Sequence, residues 1–253
     1  MLYLGPVKAP PRSTSTLDCG ITDWQQYYQQ QADLVKHPLL KQFYQAGMVA
    51  ADTPLSQVPL VALDFETTGI NPSSNGIVSI GLVSMTLTRI ASSKAKQWLL
   101  KPKFALDEDS ITLHGITHSD IAQAPDLVDI LPQLLPYLAG KVIVVHYRGI
   151  ERPFLQAAIQ ARLGESILFP VIDTMDLEAK LHRQQSASWW SKWTKKQLKQ
   201  QASIRLADSR KRYSLPDYRP HHAVTDAIAC AELLQAQIAA RFDPDVPICQ
   251  LWR

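Results

Sequence analysis

The chain has 253 residues, 46% of them hydrophobic and 19% charged, with a net charge of +3. That length and balance allow one good-sized domain with an appendage and exclude wholesale disorder. The mild basicity admits a polyanionic partner without requiring one. No apolar run approaches a membrane span, and the N-terminus lacks a basic segment followed by an apolar core. Cys19, Cys230 and Cys249 are odd in number and far apart, which argues against a disulfide framework or a zinc site. The expected compartment is the cytoplasm.

Residues 1–57 read as a Pro-containing tail followed by a helical extension. From about Thr22 the apolar spacing becomes helical, through Trp24, Tyr27, Tyr28, Leu34 and Val35. Pro38 suits the first turn of a second helix carrying Leu39, Leu40, Phe43 and Tyr44, and Gly47 stops it. The aromatic stripe reads as a face that packs on the main domain. Ala51 to Pro59 is the expected linker, and the domain proper is expected to run from 58 to 242.

Leu60 to Glu66 reads as a buried strand, and Ile77 to Leu87 as a second one. A third is expected over Ala95 to Leu100, and connections this short imply antiparallel neighbours. Thr117 with Asp120 forms a capping pair for a short helical turn. Leu127 to Leu138 reads as an amphipathic helix that Pro132 and Pro136 interrupt or bend. Lys141 to His146 has the continuous apolar core of a strand in a parallel pairing. A helix from Glu151 to Leu163, closed by Gly164, and a short strand at Val171–Ile172 complete a βαβ unit. Asp173 reads as the N-cap of the next helix. In residues 184–213, Trp189, Trp190 and Trp193 alternate with lysines, and Arg205, Arg210 and Arg212 follow. That composition suits either a single-strand-binding surface or an amphipathic helix with its tryptophans turned inward. A last helix runs to about Arg241, and 243–253 is expected to be a tail.

The chemistry concentrates at Asp64-Phe65-Glu66-Thr67-Thr68-Gly69. Alternation along the strand puts Asp64 and Glu66 on one face, where like charges repel. Either both acids are solvated at the sheet's rim, or a hard cation such as magnesium or manganese compensates them. This segment resembles the first motif of the DEDDh 3′–5′ exonucleases, the family of the proofreading epsilon subunit of bacterial DNA polymerase III. His221-His222-Ala223-Val224-Thr225-Asp226 resembles the third motif, His-x-Ala-x-x-Asp. The second motif departs: Glu151 stands where the family usually has Asp, and Tyr147 where it usually has Asn.

The resemblance implies an α/β, ribonuclease-H-like mixed five-stranded sheet flanked by helices, here with the N-terminal helical extension. It implies two ions, Mg2+ or Mn2+, held by Asp64, Glu66, Asp226 and Glu151, and in-line attack by water with His221 as general base. Thr67, Thr68, Gly69 and His114 are the implied substrate contacts. The implied activity is removal of nucleoside monophosphates from 3′ ends of single-stranded DNA. A ribonuclease acting on RNA ends or short oligoribonucleotides is the alternative. An inactive nucleic-acid-binding or replication scaffold is the reading from another class. The N-terminal helices are where a replication or repair partner would dock. Gln31-Ala32-Asp33-Leu34-Val35 faintly resembles a sliding-clamp-binding peptide without its terminal aromatic.

Overall fold

The first strand, β1 (Leu60–Thr67), lies at the centre of a five-stranded sheet because residues 60–63 are all buried. The computed structural model describes residues 19–104, 111–112, 114–186 and 203–253, without the side chains of 182–186. β2 (Ile77–Met85) pairs antiparallel with β1, and β3 (Lys96–Leu99) pairs antiparallel with β2. On the other side β4 (Val142–Val145) runs parallel to β1, and β5 (Val171–Asp173) parallel to β4. The order β3-β2-β1-β4-β5 is the expected mixed sheet.

Helices α1 (Trp24–Leu34) and α2 (Pro38–Gln45) precede the sheet, and α3 (His118–Ala122) and α4 (Leu127–Leu138) lie between β3 and β4. α5 (Glu151–Leu163) joins β4 to β5 and ends at Gly164, whose φ of 71° is the left-handed geometry of a glycine cap. α6 (Thr174–Ser186), α7 (Leu206–Arg212) and α8 (Ala223–Arg241) follow. Thr117 and Asp120 form the expected capping box of α3. α4 runs through Pro132 and Pro136 without breaking: its buried face is all Leu and Ile, and the prolines line a flanking groove with Leu39 and Phe43 of α2. No helix among the described residues is long and apolar enough to cross a membrane.

Both ends of the described chain belong to the main core. Trp24, Tyr28, Leu40, Phe43 and Tyr44 are at most 1% exposed and join the cluster containing β1. Polar contacts fix the same seam, since the Glu165 carboxylate accepts from the Lys36 and His37 amides (2.8 and 2.7 Å) and Leu168 N–H donates to the Tyr44 hydroxyl (2.9 Å). The stripe that a partner could have used is thus covered from within, although Leu34 stays exposed.

The segment expected to be a tail is not one. Ile248, Leu251 and Trp252 are buried, and Arg253 exchanges both backbone hydrogen bonds with Val171 at the edge of β5. The expected linker is equally engaged: Leu55 and Ser56 N–H donate to Val246 and Pro244 carbonyls, and Thr53 and Ala51 carbonyls accept from Ile248 and Cys249. Pro244 and Pro247 break helical periodicity, so this apolar segment carries no regular pattern even though tertiary packing buries it.

Because α1 is part of the core, Trp24→Ala should cost about 3–5 kcal/mol of stability, the usual toll for a buried Trp, within a single unfolding transition. An early partial transition in calorimetry, with the main one unmoved, would mean instead that the helices are a separate unit.

Candidate active site

Directly paired residues of antiparallel strands face the same side of a sheet. Asp64 pairs with Gly81 of β2, and Glu66 with Ser79. A Cβ on Gly81 would lie 2.1 Å from the backbone carbon of Ala223 and 2.3 Å from Val224 N. Glycine at 81 therefore lets the first turn of α8 rest directly on the sheet, on the face that carries Asp64 and Glu66. That close approach delivers Asp226: ligand oxygens of Asp64, Glu66 and Asp226 all lie within 4.8 Å of one another.

Glu151 opens α5, beyond the C-terminal end of the parallel neighbour β4, and is 2% exposed. Its Oε2 is buried with no hydrogen-bond partner among the described residues. Burial, then the charges of Asp173 and Glu66, push its carboxyl well above the usual range, against the pull of its own backbone N–H. The Asp64 carboxyl is also held well above its ordinary value, by burial and then by Glu151, Asp226 and Glu66. Asp226 is raised by burial, although His222 N–H (3.0 Å), the Tyr218 hydroxyl and His221 N–H all hydrogen-bond to it. An all-oxygen cluster that resists its own ionisation, with an orphaned oxygen beside it, fits a hard divalent cation.

The remaining residues singled out in the sequence divide clearly. His114 places Nδ1 2.6 Å from Glu66 Oε2 and Nε2 2.9 Å from the Thr67 carbonyl oxygen. Both ring nitrogens face acceptors from β1, so the histidine braces Glu66. Thr68 is buried and its hydroxyl accepts Gly76 N–H (3.0 Å), while the Thr67 hydroxyl donates to the Gly69 carbonyl (2.7 Å). These threonines shape the turn. Gly69 is needed for space, since a Cβ there would lie 2.8 Å from the Asn75 side chain.

His221 is exposed, with φ 65°, at the reversal leading into α8. His222 caps that helix, its Nδ1 lying 3.4 Å from Thr225 N and 3.2 Å from Thr225 Oγ1. Asp173 is a helix cap as expected, accepting from Met175 and Asp176 N–H (3.0 and 3.2 Å), and it also accepts from the Tyr147 and Arg148 amides (both 3.1 Å). Trp189, Trp190 and Trp193 lie outside the described residues. Of the arginines beyond them, Arg210 is buried against Glu232 and the Tyr218 ring, and Arg212 pairs with buried Glu178. These two hold α7 in place.

Sequence reasoning missed Gly81 and Tyr218. A lone glycine in a strand signals close backbone approach, which was the available clue for Gly81. No local pattern marks Tyr218, since its hydroxyl meets Asp226 only through the turn before α8.

This constellation is that of a metal-dependent nuclease. A family model described as an exonuclease, RNase_T, matches residues 61–234. The chain is 27% identical over 182 residues to a DNA polymerase III PolC-type protein of Thermotoga petrophila, covering 72% of this chain and 12% of that one. It is 25% identical over 139 residues to DNA polymerase III subunit epsilon of Pasteurella multocida, covering 51% of this chain and 54% of that one. The chain thus spans a small fraction of the PolC-type relatives and about half of the epsilon subunit. Solved structures with a similar fold include the nuclease domain of 3′hExo, a DEDDh family member, bound to rAMP (TM-score 0.56, 16% identity, 73% of this chain, 94% of that one). Exonuclease X in complex with 5′ overhanging duplex DNA is another (TM-score 0.54, 20% identity, 76% and 99%). The chain belongs to the RNase_T exonuclease family, whose model covers residues 61–234.

Two outcomes follow from this geometry. Gly81→Ala should push the first turn of α8 off the sheet and lower kcat/KM by about 100-fold, as a misplacement near 1 Å can, in a protein whose circular dichroism is unchanged; full activity would show that Asp226 does not depend on that contact. An acid with a folded-state pKa above its unfolded value binds protons on folding, so its carboxylate destabilises the protein above both values and this cost fades as pH falls through the folded one. Metal-free Asp64→Asn should accordingly melt above wild type at about pH 8, with the gap closing toward the unfolded Asp value of about 3.9. A lower melting temperature at that pH would refute the repulsion.

Proposed function

We propose that the chain is a 3′–5′ exonuclease that removes nucleoside monophosphates from the ends of single-stranded DNA. The observation that carries this is the meeting of Asp64, Glu66 and Asp226 within 4.8 Å, from elements remote in sequence, beside the orphaned Glu151 oxygen. Asp64, Glu66, Asp226 and Glu151 would hold two divalent ions, Mg2+ or Mn2+, which supply positive charge to an attacking water and to the leaving oxygen.

The chain's own groups supply the rest. His221 accepts the proton of the attacking water at an imidazole nitrogen. Its exposure lets it pass that proton to solvent, and the rival His222 is engaged in capping α8. His114 keeps Glu66 oriented, and the Tyr218 hydroxyl with two backbone amides does the same for Asp226. The turn after Glu66, held by Thr67, Thr68 and Asn75, brings backbone at Gly69 next to the acids, where a strand end can lie against it.

Labelled single-stranded DNA and RNA oligomers, incubated with Mg2+ or Mn2+ and with chelator, test the reading. DNA should shorten from its 3′ end in single-nucleotide steps only with metal. His221→Asn should lower kcat by about 100- to 10,000-fold, the range of a general base, while metal still raises the melting temperature. No shortening of either polymer would overturn the proposal, and strict RNA preference would replace it with the ribonuclease.

A further inference from the structure

The turn between β4 and α5 contains a residue that the chemistry above leaves unused. Tyr147 has φ 93°, a left-handed backbone that a bulky L-residue adopts only when its surroundings force it. Here they do. The Asp173 carboxylate accepts the amides of Tyr147 and Arg148, and Arg148 adds a guanidinium hydrogen bond to the same group (3.2 Å). Ile150 N–H closes the turn on the Tyr147 carbonyl (3.2 Å). The Tyr147 ring lies against Gly149, where a Cβ would come within 2.7 Å of ring carbon Cζ and 2.9 Å of Oη. Yet the residue is 42% exposed, one of few large hydrophobic residues so open among those described.

A strained backbone, a buried carboxylate holding it, and a glycine that makes room for the ring all serve to present an aromatic surface to solvent. Burial does not explain it, and an unstrained glycine would close the same turn. The platform is four residues from Glu151 and beyond the end of β4, the parallel neighbour of the strand that carries Asp64 and Glu66. Strain maintained beside a catalytic cluster is a mark of function.

We propose that Tyr147 is a substrate-binding residue on which one unpaired base of the nucleic-acid strand stacks, close to the hydrolysed 3′ end. An aromatic face stacks on any base, so the contact favours unpaired strands over duplex without selecting sequence. This rests on the exonuclease reading and adds to it the determinant for an unpaired end.

The test uses the full chain and single-stranded DNA oligomers, either intact or with one abasic residue placed in turn at each of the last few positions. In wild type, one abasic position should raise KM by roughly 5- to 150-fold, the range that one base–aromatic stack is worth. Tyr147→Gly should raise KM for the intact oligomer by a similar factor, abolish that abasic penalty, and leave kcat nearly unchanged. The same variant should melt higher than wild type, since glycine adopts the left-handed backbone without strain. Tyr147→Phe should match wild type, whereas Gly149→Ala, which displaces the ring without removing it, should raise KM at an unaltered melting temperature. Hydrolysis with equal KM in wild type and Tyr147→Gly, or an abasic penalty that survives the substitution, would overturn this proposal while leaving the exonuclease in place. No hydrolysis by wild type would instead overturn the reading beneath it.

Discussion

Repulsion among four clustered carboxyl groups, three of them buried, is the constraint to which the rest of the site answers. Asp64, Glu66, Glu151 and Asp226 come from β1, α5 and α8; beyond burial, Glu151, Asp226 and Glu66 disfavour the charge on Asp64, and Glu66 disfavours that on Glu151 and Asp226. A soluble domain has only some 5–15 kcal/mol of net stability to set against such a cluster. The opposing contribution comes from a continuous core that includes helices at one end of the described chain and the Trp252 region at the other. A bound cation reverses the sign of the interaction, so the features that weaken the metal-free fold are those that make metal binding favourable.

Each acid is restrained by different means, and this shows how the site tolerates an unusual residue. Glu66 is braced by a histidine, Asp226 by a tyrosine hydroxyl and two amides, and Asp64 by its place in the central strand. Glu151 has a fully buried oxygen without a hydrogen-bond partner among the described residues, and it stands where the resembled motif usually has aspartate.

Much of this was legible in the sequence. β1 and the start of α8 could be read because their side chains are informative in local order: alternation separates two acids from two large apolar residues, and the His-x-Ala-x-x-Asp spacing occupies a helix's first turn. α5 was legible to its last residue because Glu151 and Gly164 mark its ends. Gly81, Tyr218 and the path of 243–253 were not, because their meaning is entirely tertiary. Gly81 matters through a helix more than 140 positions away, and the final segment is buried by contacts with 51–56 and Val171 that no periodicity announces. The hydrogen bonds that Thr68 and His114 make to the turn and to Glu66 were equally illegible, since they depend on how each side chain is turned.

Arg152 follows Glu151 directly, and its guanidinium lies 5.7 Å from the Trp24 ring centre, hydrogen-bonds to the Phe169 carbonyl (3.0 Å) and the Arg253 carbonyl, and contacts the Cys19 sulfur (3.7 Å). Three stretches of polypeptide, at 19–24, Phe169 and Arg253, therefore converge on the residue next to Glu151. A minimal nuclease excised at the apparent boundaries of the sheet would strip away two of them and leave a buried cation with little around it. The extension is better regarded as scaffolding for the chemistry than as a detachable module, and attempts to dissect its role by truncation would disturb the very centre they aim to spare.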